Sequence, residues 1–170
     1  GYPNFPEIIY GVSFGGEFKG FDLSVLFQGA EHVSRLNRET TIRPYENDLM
    51  SLAYIPALSW TQEKYEKGQT IKLPHLTARQ QQTHNYQPST FMIQNARYLR
   101  LKNVELGYRF SSKLLKKVKI RSCRIYLNGN NIVTWDGLFP GDDPEQFALS
   151  GDEGYSPLRR TFNIGVNVEF

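Results

Sequence analysis

The chain has 170 residues; 39% are hydrophobic and 14% aromatic, with ten Tyr and eleven Phe. Few apolar but many aromatic residues fit two-faced β-strands better than a helical bundle. The formal net charge of +3 is a mild, scattered cationic excess that does not argue for a nucleic-acid partner.

The single cysteine, Cys123, excludes an intrachain disulfide and a multi-cysteine metal site. No apolar run reaches the roughly 18 residues of a transmembrane helix, which leaves a membrane β-barrel open. The chain starts at Gly1 without Met, signal peptide or targeting segment, the expectation for a processed chain or a piece of a longer one.

The first segment, EIIYGVSFGGEFKG, places Ile8, Tyr10, Val12, Phe14 and Phe18 on one parity. Gly11, Ser13, Gly15, Glu17 and Lys19 fall on the other. Period two predicts a strand over 7–19. FDLSVLFQG repeats it over 21–29, with Phe21, Leu23, Val25 and Phe27 on one face and Leu26 as the exception on the polar face. Lys19-Gly20 leaves almost no loop between the two, so they form a tight hairpin.

Residues 31–95 break the pattern with Pro44, Pro56, Pro74 and Pro88 and a polar run from Gln80 to Asn85; only Asn47 to Tyr54 suggests a helical turn or two. Order returns at YLRLKNVELGYRF, a strand over 97–110. Leu99 and Leu101 lie on one parity and Val104, Leu106, Tyr108 and Phe110 on the other, which predicts a β-bulge at Lys102-Asn103. SSKLLKKVK is a short connection, read as one helical turn begun by Ser111 or Ser112. A strand over 120–135 follows, with Cys123, Ile125, Leu127, Val133 and Trp135 on one face. Next come a loop over 136–157 rich in Gly, Asp, Pro and Glu, and a last strand over 159–170.

The fold class is therefore all-β, with about five antiparallel strands whose connections alternate short, long, short, long. Outer-membrane barrels alternate in this way, with short periplasmic turns and long outer loops. A tilted strand of about 9–11 residues also spans a bilayer. Single-chain bacterial barrels have even strand numbers from about eight upward, and an open apolar sheet leaves costly hydrogen-bonding edges in hydrocarbon. The expectation is the C-terminal part of a larger transmembrane barrel. Its long outer loops at 31–95 and 136–157 would be extracellular and Phe170 periplasmic. Phe162, Ile164, Val166, Val168 and Phe170 would then form the apolar, lipid-facing parity of the strand that closes the barrel.

PNFPEIIYGVSFGGEFKGFDLSVLFQG, YLRLKNVELGYRF, IYLNGNNIVTWDG and SPLRRTFNIGVNVEF, in this order and spacing, resemble the C-terminal barrel of the SusC/RagA family. These are TonB-dependent outer-membrane importers of Bacteroidetes. The resemblance spans nearly the whole chain and is weakest over 31–95. It implies a barrel of about 22 strands when complete. It also implies an N-terminal plug and a TonB-contacting segment that this sequence lacks, and a SusD-like lipoprotein lid. The implied function is import of oligosaccharides or peptides, driven through TonB, with Phe170 part of the signal read by the barrel-assembly machinery.

The remaining motifs have plainer readings. Gly11-Val12-Ser13-Phe14-Gly15 matches the G-x-S-x-G nucleophile elbow, which needs a sharp strand-to-helix turn; Ser13 lies mid-strand, so no enzyme is expected. Asp142, Asp143, Glu145, Asp152 and Glu153 crowd the loop 136–157. Ca²⁺ suits such oxygens, but their spacing matches no EF-hand, and a solvated loop without a cofactor is preferred. Lys113, Lys116, Lys117, Lys119, Arg121 and Arg124 read as a basic rim facing headgroups or solvent rather than nucleic acid. His32, His75 and His84 share no zinc spacing. Tyr54, Trp60, Tyr65 and Tyr86, in the first long loop, are the candidate substrate-binding aromatics, although packing is the preferred role. Tyr10, Tyr98, Tyr108 and Trp135 read as a membrane interface belt. The competing reading is a soluble β-sandwich, a carbohydrate-binding or adhesion module whose apolar strand faces bury against each other.

Overall fold

The computed structural model describes residues 1–36, 53–76, 87, 89–111, 115, 119–139, 142–146 and 158–170. These separate into two compact units.

One unit is a single five-stranded antiparallel sheet. Its strands are β1 (Ile8–Phe18), β2 (Phe21–Glu31), β5 (Tyr98–Arg109), β6 (Ser122–Asp136) and β7 (Thr161–Glu169), in the order β1-β2-β5-β6-β7. Labels β3 and β4 belong to two short strands of the other unit, Ser34–Leu36 and Ile93–Asn95. The β1–β2 turn is Lys19-Gly20, with φ of 49° and 89°. Two consecutive left-handed residues give the turn whose twist matches that of a two-residue hairpin. Gly20 suits it because a side chain there would also meet the Arg109 carbonyl.

The register aligns the apolar parities into continuous rows across the sheet. One row runs Phe18, Phe21, Tyr108, Ile125, Val166, and the next Leu23, Leu106, Leu127, Ile164. A third runs Phe14, Val25, Val104, Gly129, Phe162, and two more carry Val12, Phe27, Leu101, Val133 and Tyr10, Gly29, Leu99, Trp135. The phase slip at Lys102 appears as register shifts on both sides of β5. Leu26 and Phe27 of β2 face Asn103 and Leu101, and Asn130 and Val133 of β6 face the same pair. One extra residue on β5 and two on β6 keep the apolar parity on a single face despite the slip. Asn131, within the widened step, has φ 52°.

This face is open. Phe14, Phe18, Phe162 and Ile164 are 61–75% exposed, and Leu23, Leu106, Leu127, Trp135 and Val166 are exposed as well. A patch of this extent far exceeds the scattered apolar residues that a soluble surface shows. Both short connections, Lys19-Gly20 and 110–121, leave from the end carrying Phe18, Arg109, Ser122 and Glu169; both long ones leave from the other.

The second unit is built from residues 1–5, 33–96 and 137–157. In it β3 pairs with β4, and the Tyr2 and Pro3 backbones bond to Ser34. Two short helices, α1 (Tyr54–Leu58) and α2 (Gln62–Glu66), and a 3-10 turn Thr90–Met92 give the stretch read as a loop a core of its own. Ile55, Leu73 and Met92 are buried together, with Tyr54, Leu58, Leu76 and Phe139 packed around them. Lys64 Nζ donates to the carbonyls of Pro56, Ala57 and Ser59, satisfying the open end of α1. Thr61 caps α2, its Oγ1 accepting from the Lys64 amide at 3.2 Å. Of the helical turn expected over Asn47–Tyr54, all but the last two residues lie outside the described residues. The same is true of most of the turn after Ser111, where the Leu115 amide donates to the Ser111 carbonyl.

Candidate functional site

The polar face of the sheet carries its organised chemistry. Glu17, Asp22, Gly107, Tyr126 and Gly165 form one cross-strand row, and Gly15, Ser24, Glu105, Asn128 and Asn163 the next. Arg124 enters from β6. Its Nε donates to Asp22 Oδ2 at 2.9 Å, one Nη donates to Asp22 Oδ1, and the same Nη donates to Glu105 Oε1 at 2.7 Å. Asn128 donates to Glu105, Asn130 to Asn128 Oδ1, and Asn103 to Asn130 Oδ1. The result is one hydrogen-bonded ladder from β2 across β5 to β6. Higher on the same face, Arg100 Nε donates to Thr134 Oγ1 at 2.8 Å.

Glycine makes the ladder possible. Asp22 sits opposite Gly107, and Arg124 must pass over β5 to reach it. A Cβ on Gly107 would lie 2.5 Å from the Arg124 guanidinium and from both Asp22 oxygens. Gly165 does the same for Tyr126: a Cβ there would collide with the ring, and Arg124 lies 5.1 Å above that ring's centre. A bidentate, charge-assisted pair with a second carboxylate at its back is a rigid, shaped surface.

Arg124 is thus removed from the basic rim in which the sequence reading grouped it. Lys113, Lys116 and Lys117 lie outside the described residues, and Arg121 pairs with Glu169 at 3.2 Å. Tyr98 is also corrected. It faces Ala30 and Asp136 on the polar parity, is buried, and stands beside Arg100 rather than in an interface belt. The phase slip reverses its parity relative to Tyr108. Tyr10 and Trp135 share one end row of the apolar face, and Phe18, Phe21 and Tyr108 the other; Phe21 and Tyr108 are 4.7 Å apart.

The three described loop aromatics, Tyr54, Trp60 and Tyr65, are not brought together. Tyr54 packs on the small core and stacks on Phe139 at 6.3 Å, a packing role. Trp60 meets His75 edge-on at 5.9 Å, and the two share an open cleft of about 580 Å³ with Ile71, Lys72, Ser89 and Phe91. Tyr65 projects from α2, exposed, and Tyr86 lies outside the described residues. Phe91, which no sequence pattern singled out, joins Trp60 only because the 3-10 turn carries it there. Phe162, Ile164, Val166 and Val168 occupy one face of β7 with Phe170 just past its end, all exposed.

Ser13 is mid-strand, opposite Leu26, with no helix following. Asp143 is buried and its Oδ1 accepts the Glu145 amide at 2.9 Å, closing a turn; Asp152 and Glu153 lie outside the described residues. Among the described residues no three metal-ligating side chains converge. His32 pairs with Glu7 at 3.3 Å, and His84 lies outside the described residues.

An antiparallel sheet of strand length 9–15 residues, with one exposed apolar face, one hydrogen-bonded polar face and loops alternating in length, defines a stretch of transmembrane β-barrel wall. Comparison with known proteins agrees. TonB-dependent receptor P3 of Formosa agariphila is 32% identical over 89 residues, covering 46% of this chain and 9% of that receptor. TonB-dependent receptor P26 of the same organism is 25% identical over 175 residues, 97% of this chain and 17% of that receptor. Solved structures of the RagAB peptide importer superpose over 99% of this chain and 18% of theirs. The closed-closed state gives a TM-score of 0.71 at 24% identity, and the open-open state 0.69 at 23%. No family model matches. The chain therefore spans less than a fifth of the relatives it matches. The resemblance carried by the four sequence segments, to the C-terminal part of a SusC/RagA-type TonB-dependent transporter, is borne out. These relatives are named as receptors and importers, not enzymes.

Proposed function

We propose that the chain is the C-terminal wall of a TonB-dependent importer that takes up a nutrient, an oligosaccharide or a peptide, across the bacterial outer membrane. The observation that carries this is the exposed apolar face, continuous over five strands and opposed to a hydrogen-bonded polar face. Lipid covers the first and the lumen the second. A soluble sandwich would need the apolar face buried, and its exposure speaks against that reading.

In the complete protein about 22 strands would close the barrel, with β7 pairing to the first strand through the parity of Phe162, Ile164, Val166, Val168 and Phe170. The two long connections would face outward, where a SusD-like lipoprotein covers them. Phe170 and the short turns would face the periplasm, where TonB acts on an upstream segment through a plug. The named peptide importer among the structural neighbours supports the transport class.

The test is genetic and physical together. Deleting the full-length gene should abolish growth on one oligosaccharide or peptide source while leaving growth on monosaccharides or amino acids intact. The protein should fractionate with outer membranes. Recovery of the full-length protein in the aqueous phase without detergent would overturn the reading.

A further inference from the structure

The cleft beside Trp60 is walled entirely by the unit that carries it, from Trp60, residues 71–75, Ser89 and Phe91. Leu73, buried with Ile55 and Met92, backs it. Backbone bonds hold its shape: the Trp60 amide donates to the Leu73 carbonyl, the Lys72 and Leu73 amides to the Leu58 carbonyl, and the Met92 amide to the Ser89 carbonyl. Two aromatic rings stay accessible in it, Trp60 at 38% and Phe91 at 54% exposure. His75 Nδ1 donates to the Trp60 carbonyl at 3.3 Å, which leaves Nε2 for a ligand. Ser89 stands at the N-cap position of the 3-10 turn, where a serine ordinarily caps, yet its hydroxyl makes no capping bond. The lining holds one cation, the exposed Lys72, and no carboxylate. The acids of nearby α2 are engaged elsewhere, Glu63 by Lys67 and Glu66 by Gln62.

We propose that this cleft binds a uronic acid unit of an acidic oligosaccharide. The pyranose ring stacks on Trp60, its carboxylate takes the Lys72 ammonium, and its hydroxyls meet Ser89 and His75. The proposal rests on the importer reading above and names its substrate class. An open cleft with aromatic walls and a few polar groups suits a ring that is apolar on its face and polar at its rim. A single compact ammonium matches the single charge of a carboxylate. A peptide fits less well. Extended peptides bind by adding main-chain hydrogen bonds to a free backbone edge. Here the amides of Trp60, Lys72 and Leu73 are already donated, and Pro74 has none. The carbonyls of Trp60, Leu73 and Ser89 already accept. Recognition therefore falls to side chains, and these offer a ring face, a cation and a hydroxyl.

The experiment titrates the full-length protein in detergent with tetrasaccharides of galacturonate, glucuronate and mannuronate, each beside its methyl ester, by isothermal calorimetry. The ester keeps the ring and removes the charge. The wild type should bind at least one acid about fivefold more tightly than its ester. Lys72→Gln, at an exposed position that keeps its backbone bond to Leu58, should bring that acid down to the ester's affinity and leave the ester unchanged. Trp60→Ala should weaken acid and ester alike by about tenfold, and Trp60→Phe should restore most of the loss. No preference for any acid over its ester, or a preference that persists in Lys72→Gln, would overturn the proposal. Tetraglutamate is the competing ligand: binding as tight as the best uronate, with the same loss in Lys72→Gln, would assign the cleft to acidic peptides instead. Should Trp60→Ala fail to assemble, the acid-to-ester ratio in Lys72→Gln decides. A protein that selects no uronate yet fractionates with outer membranes and imports another nutrient refutes the substrate class alone. Recovery in the aqueous phase without detergent would refute the importer itself.

Discussion

An arginine placed on a lipid-facing wall should cost more the deeper it lies, and β5 offers a built-in depth scale. Tyr108, Leu106, Val104, Leu101 and Leu99 share the apolar face, one per row. From Tyr108 to Leu99 there are nine steps, one of them absorbed by the bulge at Lys102. Eight steps of about 3.3 Å give about 26 Å along the strand, and a tilt of about 40° reduces this to about 20 Å of bilayer depth. Val104 is then about 10 Å from either end row, near the midplane. Arginine there should destabilise by about 2–4 kcal/mol, and at Tyr108 or Leu99 by about 0–1 kcal/mol, with Leu106 and Leu101 between. The assay is guanidinium unfolding of the full-length protein refolded into phosphatidylcholine vesicles, one arginine variant at a time. A flat profile, or a maximum at an end row, would refute the lipid-facing assignment. A buried sandwich core would penalise all five positions without the depth dependence.

Four further outcomes follow from particular contacts. Gly107→Leu should push the Arg124 guanidinium off Asp22 and lower the unfolding midpoint, and Arg124→Met should do the same by leaving two carboxylates without their cation. The triple variant Asp22→Asn, Glu105→Gln, Arg124→Met should recover most of that loss, and a triple no better than Arg124→Met alone would show that the ladder does not act as a unit. Gly165→Val should impair assembly by collision with Tyr126, read as loss of the heat-resistant gel band. Adding Tyr126→Ala should restore it, and failure to restore would place the defect in the backbone instead. Ile55→Ala should open the small loop core by about 2–5 kcal/mol, so amide protection at Ser59 and Leu73 falls at least about tenfold while the barrel midpoint holds; unchanged protection would count against that core. Trp60→Ala should reduce nutrient uptake with normal amounts of protein in the outer membrane, whereas Tyr65→Ala should not. Equal uptake by both would remove the Trp60 cleft from the substrate path.

The sequence by itself determined the five long strands of the sheet and the alternation of their faces, though not the short pair β3 and β4. Period-two alternation survives without tertiary context because a strand's side chains alternate by geometry alone. Lys19-Gly20 announces its hairpin because few residues accept consecutive positive φ values. The slip between Leu101 and Val104 was legible as a bulge because a one-residue insertion must flip parity. The same local logic misplaced Tyr98 and Arg124. Tyr98 shares spacing with an aromatic belt, yet the slip turns it to the polar side. Arg124 follows a run of lysines in sequence, yet its partner Asp22 lies 102 residues away and comes within reach only across β5. Gly107 and Gly165 look like any other strand glycine in sequence. Only the register shows that the first admits a guanidinium and the second a ring. The loop core of Ile55, Leu73 and Met92 was equally invisible, since its residues belong to separate short elements with no shared period. Local alternation is a property of the backbone, whereas cross-strand pairs, glycine gaps and clustered short elements exist only once distant segments meet.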